Sequence, residues 1–474
     1  MSIIFSLQRR SLWILLGITV FWILIWTLNL RYPLNTDSVG YATLSNNLFE
    51  TGQYIIRGKV NDVFVPGHSI LSYPFALLFG LNTGFKVASL IYGIGLLFAS
   101  FFLFRRVVDE PTAGLAAFLL GLSFTESWLL SVGNADMLYG LEFFLCLLLY
   151  LRAIEKPSLF PWLGVLIGIT LLTRYMGIAL LPIVFLTTCI QKPRLLRSSY
   201  FWSLFIIALA IFSLWFLRNY LTFGHAFGAF HIISTVHSPT PMWETVIHNT
   251  IFYFHPAHSI GFLFPWMIAG LWIYWRRAPL LTIALPLSLL LCYVYPPVTS
   301  RFLVATIPLM HIFTAMGVRF SLQKITPWVI ISLFLLALFV QAGMTCLYSL
   351  PQCSAFARQH IAFIPDELGF SQEGAESMQQ AFDWIENNAP EKPIISSLIL
   401  ADDLPFRRQH RPTLNIVLVP SCEEATLAVV QNRMVITGST VLATSKTRPF
   451  MDVRSIPKEL CKASLPWDPE AHYW

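Results

Sequence analysis

Charge is scarce in this 474-residue chain. Only 12% of its residues are Asp, Glu, Lys or Arg, about half the usage of an ordinary soluble domain, while 56% are hydrophobic. That shortage excludes a water-soluble protein over most of the length. The seven cysteines form no CxxC pair, so neither a zinc ribbon nor a thioredoxin-type motif is written here. N-x-S/T sequons are absent, which neither supports nor excludes the endoplasmic reticulum. No basic patch interleaves with aromatic residues, so the net charge of +6 does not imply a nucleic-acid partner. Repeated halves, the usual mark of a secondary transporter, are also missing.

What the chain does have is long apolar runs. Residues 11–30 carry no charge and suffice to cross roughly 30 Å of hydrocarbon as a helix. The run is too wide and too rich in Trp for a cleaved signal core, which makes it a retained span. Further runs lie at 87–104, 112–132, 136–151, 159–173, 175–190, 199–217, 259–275, 280–299, 302–318 and 327–349. Together they predict about 11 transmembrane helices. With the N-terminus cytoplasmic, the inner segments collect Arg9 and Arg10, Arg105 and Arg106, Arg152 and Lys156, Lys192, Arg194 and Arg197, Arg276 and Arg277, and Arg319 and Lys324. The outer segments hold fewer basic residues over more chain, as the positive-inside bias requires. The first long loop, 31–86, and the C-terminus then lie outside.

Beyond residue 350 the balance reverses to 11 basic and 15 acidic residues, with no membrane-length run. The fold expected is a mainly α-helical polytopic membrane domain, 1–349, followed by a soluble α/β domain, 350–474, on the extracytoplasmic side. In "GAESMQQAFDWIENNAP" Met378, Phe382 and Ile385 share a helical stripe that stops at Pro390. "PIISSLIL", "LNIVLVP" and "RMVIT" read as strands, and "CEEATLAVVQN" as a helix between two of them. Outside the cell a disulfide among Cys353, Cys422 and Cys461 is permitted, whereas Cys146, Cys189 and Cys292 fall in spans and read as small apolar fillers.

Ionisable residues in or beside a span are costly and tend to line a cavity. Here they are Asp37, Glu126, Asp136, Glu142, Arg174, Arg218 and Arg301, all toward the outer ends of their spans, which suggests one outward-opening polar cavity. Glu126 and Glu142 either share a proton or bond a neighbouring hydroxyl or Trp. Six histidines, His225, His231, His237, His248, His255 and His258, crowd one outer loop. Their spacing suits a polar interfacial loop better than a metal site, which needs three or four ligands at fixed geometry.

Several segments, in this order, carry a family resemblance: "DSVGYATLSNNLFETGQY", "PGHSILSYPFALLFG", "NADMLYGLEFFLCLLLYLRA", "GITLLTRYMGIALLP", "WFLRNYLTFGHAFG" and "SRFLVATIPLM". They resemble the GT-C superfamily of multi-spanning glycosyltransferases, in the branch of the lipid A aminoarabinose and protein O-mannosyl transferases. The resemblance implies inverting transfer of a hexosyl or pentosyl group from a polyprenyl-phosphate donor to a glycolipid, cell-wall polymer or protein acceptor. The expected setting is the extracytoplasmic face of a bacterial inner membrane. It implies Asp37 as general base and Asp136 as the second acidic position, holding the sugar or acceptor or helping to position a metal. Arg174, Arg218 and Arg301 suit a phosphate, which needs positive charge rather than a strong acid. Arg57, Lys59 and His68 are further substrate-binding candidates, and Tyr41 either bonds the substrate or anchors the interface. No cofactor is demanded, and a divalent metal is left open. Asp37 is followed by Ser38 rather than the Asp-Glu pair of protein O-mannosyltransferases, and the WWD signature of oligosaccharyltransferases is missing. A transporter or flippase of a lipid-linked or small polar substrate is the alternative.

Overall fold

The structure, a computed structural model, describes residues 9–30, 34, 36–56, 59–62, 64–226, 246–247, 250, 253–254, 260–294, 300–324, 326–349, 380, 383–388, 394–396, 427–431, 440–444 and 451–455. In chain order the helices are α1 Arg9–Asn29, α2 Thr36–Thr51, α3 Gly67–Phe79, α4 Leu81–Phe104, α5 Glu110–Gly121, α6 Phe124–Val132 and α7 Asp136–Ala153. They continue with α8 Phe160–Thr173, α9 Leu180–Gln191, α10 Ser199–Phe223, α11 Phe264–Tyr274, α12 Pro279–Val294, α13 Ile307–Lys324 and α14 Pro327–Ser349. Two compact units divide the chain: Met1–Leu30 with Asp62–Gln359, and Arg31–Asn61 with His360–Trp474.

Each apolar run read from the sequence carries helix, because a chain in hydrocarbon must satisfy its backbone internally. Among the described residues α1, α4 and α10 are long and apolar enough to cross a membrane singly, with a fourth crossing if α5 and α6 count as one. The run 112–132 is therefore not one straight span: its two helices are bent by 59°. The break is local: Ser123 is extended, at φ −68° and ψ 128°, and its hydroxyl donates to the Glu126 carboxylate at 2.5 Å. The carbonyl of Gly121, at the end of α5, accepts a hydrogen bond from Trp22 Nε1 at 3.0 Å.

Aromatic side chains fill the centre of the first unit. Phe101 and Phe104 of α4, Phe143 and Phe144 of α7 and Phe160 of α8 are fully buried. Outward-facing Trp13 and Leu24 on α1, and Ile206, Leu214 and Leu221 on α10, are exposed, as side chains facing lipid are. Lys86 is 1% exposed, and its Nζ donates to the Asn29 and Leu30 carbonyls at 3.0 and 3.3 Å, satisfying acceptors left open at the end of α1.

Glycines bring helix backbones together where hydrophobicity alone gives no drive between helices. On α8, a Cβ at Gly164 would come within 2.6 Å of the Leu204 carbonyl oxygen, and one at Gly168 within 2.8 Å of Ile211. On α11 and α13, a Cβ at Gly270 or Gly317 would run into the carbonyl of Phe313 or Trp266. Gly270→Val should therefore cost about 1–3 kcal/mol or more of stability through overpacking. Gly17→Val, where nothing lies within 4 Å, should leave the thermal midpoint in detergent unchanged.

In the second unit, β1 (Ile55–Ile56) and β2 (Lys59–Val60) form an antiparallel hairpin beyond α2. A four-stranded sheet joins β3 (Ile394–Ser396), β4 (Leu427–Gln431), β5 (Thr440–Thr444) and β6 (Met451–Ser455) in the order β3-β4-β6-β5. β3 runs parallel to β4, and the other pairs are antiparallel. Here the structure corrects the helix expected in "CEEATLAVVQN": residues 427–431 are a strand paired on both edges. Adjacent β-branched Val429 and Val430, with a partner strand on either side, outweigh the helical reading. Residues 383–388 are helical with Ile385 buried, as its stripe predicts. "LNIVLVP", "RMVIT", Cys353, Cys422 and Cys461 lie outside the described residues. Cys146 and Cys292 are buried free thiols in their helices.

Candidate functional site

The loop between α6 and α7 turns on Gly133, which takes the left-handed conformation at φ 79° that ends a helix most readily without a Cβ. Asn134 follows and accepts the Asp136 backbone N–H on its Oδ1 at 3.1 Å, so α7 begins with Asp136 held in place. The carboxylate is 1% exposed and meets Arg174 Nη2 at 2.6 Å. Arg174 reaches it because α8 stops at Thr173 and Arg174 itself is extended, at φ −152° and ψ 134°. A charge this deeply buried persists only when paired. The Arg174 Nε is buried and finds no hydrogen-bond acceptor among the described residues.

Phe302 brings in a second arginine. The guanidinium of Arg174 lies 5.7 Å from its ring centre and that of Arg301 lies 5.5 Å from the same ring. Arg218 is joined less directly: its guanidinium stacks 4.8 Å from Trp215, whose Nε1 donates to the Tyr175 hydroxyl at 2.8 Å. Arg218 Nη1 also donates to Asn219 Oδ1 at 2.7 Å. Tyr175 directly follows Arg174 in sequence, so the contacts of Arg218 lead to the residue next to Arg174. Thr173, Tyr175, Trp215 and Phe302 were not singled out from the sequence. The signal for Tyr175 and Phe302 was an arginine followed directly by an aromatic, in "TRY" and "SRF".

His68 braces this loop from α3. Its Nε2–H donates to the Gly133 carbonyl at 3.1 Å, and its Nδ1 accepts from the Ser72 hydroxyl at 3.1 Å. That pattern is a neutral imidazole. Burial holds its pKa well below the usual 6.5, at about 3; the Gly133 bond opposes this and the nearby Arg174 charge assists it. The unfolded chain then binds more protons between pH 6.5 and about 3, so stability falls as pH drops through that window. His68→Gln should flatten this decline, read as thermal midpoint against pH in detergent.

One residue before His68, Gly67 packs so closely that a Cβ would lie 2.6 Å from Thr173 Oγ1. Thr173 Oγ1 donates to Glu142 Oε1 at 3.1 Å, while Glu126 bonds Ser123, so each acid has its own hydroxyl donor. α3 thus touches both segments that carry the Asp136–Arg174 pair.

Asp37 and Tyr41 belong to the other unit. Asp37 is half-buried in the first turn of α2, where the helix dipole favours a carboxylate, and Tyr41 one turn on is buried. Arg57 lies outside the described residues; Lys59 is described only as backbone paired with Ile56. Of the crowded histidines only His225 is described, stacked on Phe223. Among the described residues no three His, Cys, Asp or Glu side chains come together as a metal site.

Residues 68–216 match the family described as dolichyl-phosphate-mannose-protein mannosyltransferase, a stretch that contains His68, Asp136 and Arg174. No curated protein matches the chain. Among solved structures, ArnT from Cupriavidus metallidurans in the apo state superposes with a TM-score of 0.59 at 16% identity, covering 96% of this chain and 99% of ArnT. ArnT bound to undecaprenyl phosphate gives the same score over 95% and 98%. The archaeal oligosaccharyltransferase AglB from Archaeoglobus fulgidus, in complex with an inhibitory peptide and a dolichol-phosphate, scores 0.51 at 12% identity over 90% and 70%. The class these likenesses define is the polytopic helical fold of GT-C proteins. At these identities the likenesses show the fold, and the family match covers residues 68–216 of the 474.

Proposed function

We propose that the protein is an integral membrane glycosyltransferase that moves a hexosyl or pentosyl group from a polyprenyl-phosphate donor to an extracytoplasmic acceptor, with inversion. The observation that carries the proposal is the buried Asp136–Arg174 pair with Arg301 beside it at Phe302. Undecaprenyl phosphate in ArnT and dolichol-phosphate in AglB are ligands of the same chemistry. In the reaction the bond from the anomeric carbon to the phosphate oxygen breaks as a bond to the acceptor oxygen forms on the opposite face. The acceptor proton goes to Asp37 and the electron pair leaves on polyprenyl phosphate. Arg174 and Arg301 hold the departing anion by charge-assisted hydrogen bonds, with Arg218, Arg57 and Lys59 as further cations for donor or acceptor. Asp136 aims Arg174 and receives sugar hydroxyls, and Tyr41 bonds the substrate. His68 holds the loop that carries Asp136.

The same reading assigns residues 1–349 to the membrane-embedded catalytic domain with eleven crossings and 350–474 to a soluble domain outside a bacterial inner membrane. It is tested by incubating the purified protein with a panel of polyprenyl-phosphate sugars and an envelope extract. The expected result is release of polyprenyl phosphate from one donor, and its absence with every donor would overturn the proposal.

A further inference from the structure

The end of α7 opposite Asp136 carries charges that this chemistry does not use. Two of the arginines near it are occupied: Arg105 pairs with Glu110 at 2.9 Å, and Arg319 pairs with Asp109 and donates to Thr112 Oγ1. Arg106 and Arg152 stand apart from them. They line a cavity of about 350 Å³ whose other walls are Leu145, Leu148, Leu149 and Leu166. Arg152 has Glu155 at 3.7 Å, but both side chains are largely exposed, at 45% and 62%, so that pair is weak. Among the described residues no carboxylate lies within ion-pairing distance of Arg106, which feels the positive charge of Arg152 and, more weakly, the negative charge of Glu155.

The groove follows from the sequence of α7. Leu145, Leu148, Leu149 and Arg152 recur at the i, i+3, i+4, i+7 spacing of one helical face, so a leucine ridge runs directly into a guanidinium. Leu166 of α8 makes the second wall and Arg106, just beyond α4, closes the end. An open leucine-walled groove ending in two cations has the polarity of one lipid molecule, with an acyl chain along the leucines and a phosphate at the arginines. It is not part of the site described above: Asp136 and Arg152 are separated by about 24 Å along α7 at the rise of an α-helix.

We propose that this groove binds an anionic glycerophospholipid, its phosphodiester held between Arg106 and Arg152 and one acyl chain laid against Leu145, Leu148, Leu149 and Leu166. The charge complementarity of the two arginines selects the headgroup, and their place among the basic inner segments puts the lipid in the cytoplasmic leaflet. Planar guanidinium groups suit a phosphodiester because two N–H donors can face its two free oxygens.

The test is lipid retention by the full-length protein in detergent, read by native mass spectrometry with phosphatidylglycerol and phosphatidylcholine of identical chains. The wild type should retain about fivefold more phosphatidylglycerol, and Arg106→Gln/Arg152→Gln should abolish the preference. Arg106→Lys/Arg152→Lys should keep part of it, which separates lost charge from lost fold. Equal retention of the two lipids by the wild type would overturn the proposal without recourse to any variant. Displacement by inorganic phosphate would make the ligand a free anion, and preferential displacement by polyprenyl phosphate would make the groove a donor site. Either result contradicts the assignment.

Discussion

Asp37→Asn should lower the rate of polyprenyl phosphate release about a hundredfold to ten-thousandfold, the usual contribution of a positioned general base. The substitution keeps shape and hydrogen-bonding reach while removing the proton acceptor. KM for the donor should change little, since Asp37 acts on the acceptor proton and not on the phosphate. α2 should remain folded, because an amide in its first turn loses only the modest dipole attraction of about 0.3–1 kcal/mol. Turnover within about threefold of wild type, set against that expected span, would remove Asp37 from the chemistry.

Breaking the Asp136–Arg174 pair should be the most damaging change to stability. Asp136→Ala leaves the Arg174 guanidinium, only 14% exposed, without its counter-ion, a situation that costs about 3–5 kcal/mol when one partner of a buried pair is removed. Arg174→Gln should cost nearly as much, because it strands a carboxylate that is 1% exposed. The double variant Asp136→Asn/Arg174→Gln should recover much of the lost stability, since two neutral amides can bond one another. It should not recover activity, because the charge facing the phosphate is gone. Thermal midpoints that simply add across the two sites would contradict the coupling, as residues in direct contact are expected to be non-additive.

The sequence displayed the helices well and their interruptions poorly. Every apolar run carries described helix, but α2 and α3 lie outside those runs, and hydropathy read through Leu122 and Ser123, where the chain breaks without loss of apolar character. It took "LAVVQ" for helix because a strand identity there depends on pairing with residues 394–396 and 451–455, distant in sequence. Asp136 and Arg174 stood out singly because charge is rare in such a chain. Their pairing was not legible, since it needs α8 to end at Thr173 and α7 to begin at Asp136 side by side. The meeting of Arg174 and Arg301 at Phe302 was hidden for a different reason: one phenylalanine among 39 carries no signal of its own. His68 was legible as a substrate-binding candidate, whereas its bond to Gly133, which joins α3 to the loop before α7, was not.

The most direct test of the central claim is a mass balance in proteoliposomes. A polyprenyl-phosphate sugar labelled in both the sugar and the lipid is supplied with an acceptor extract, and the two labels are followed separately. Glycosyl transfer predicts that sugar label appears on the acceptor in equal amount with free polyprenyl phosphate, and that both require the acceptor. Movement of intact donor across the bilayer, with the labels still joined and no free polyprenyl phosphate, would contradict the account and make the protein a transporter of its lipid-linked substrate.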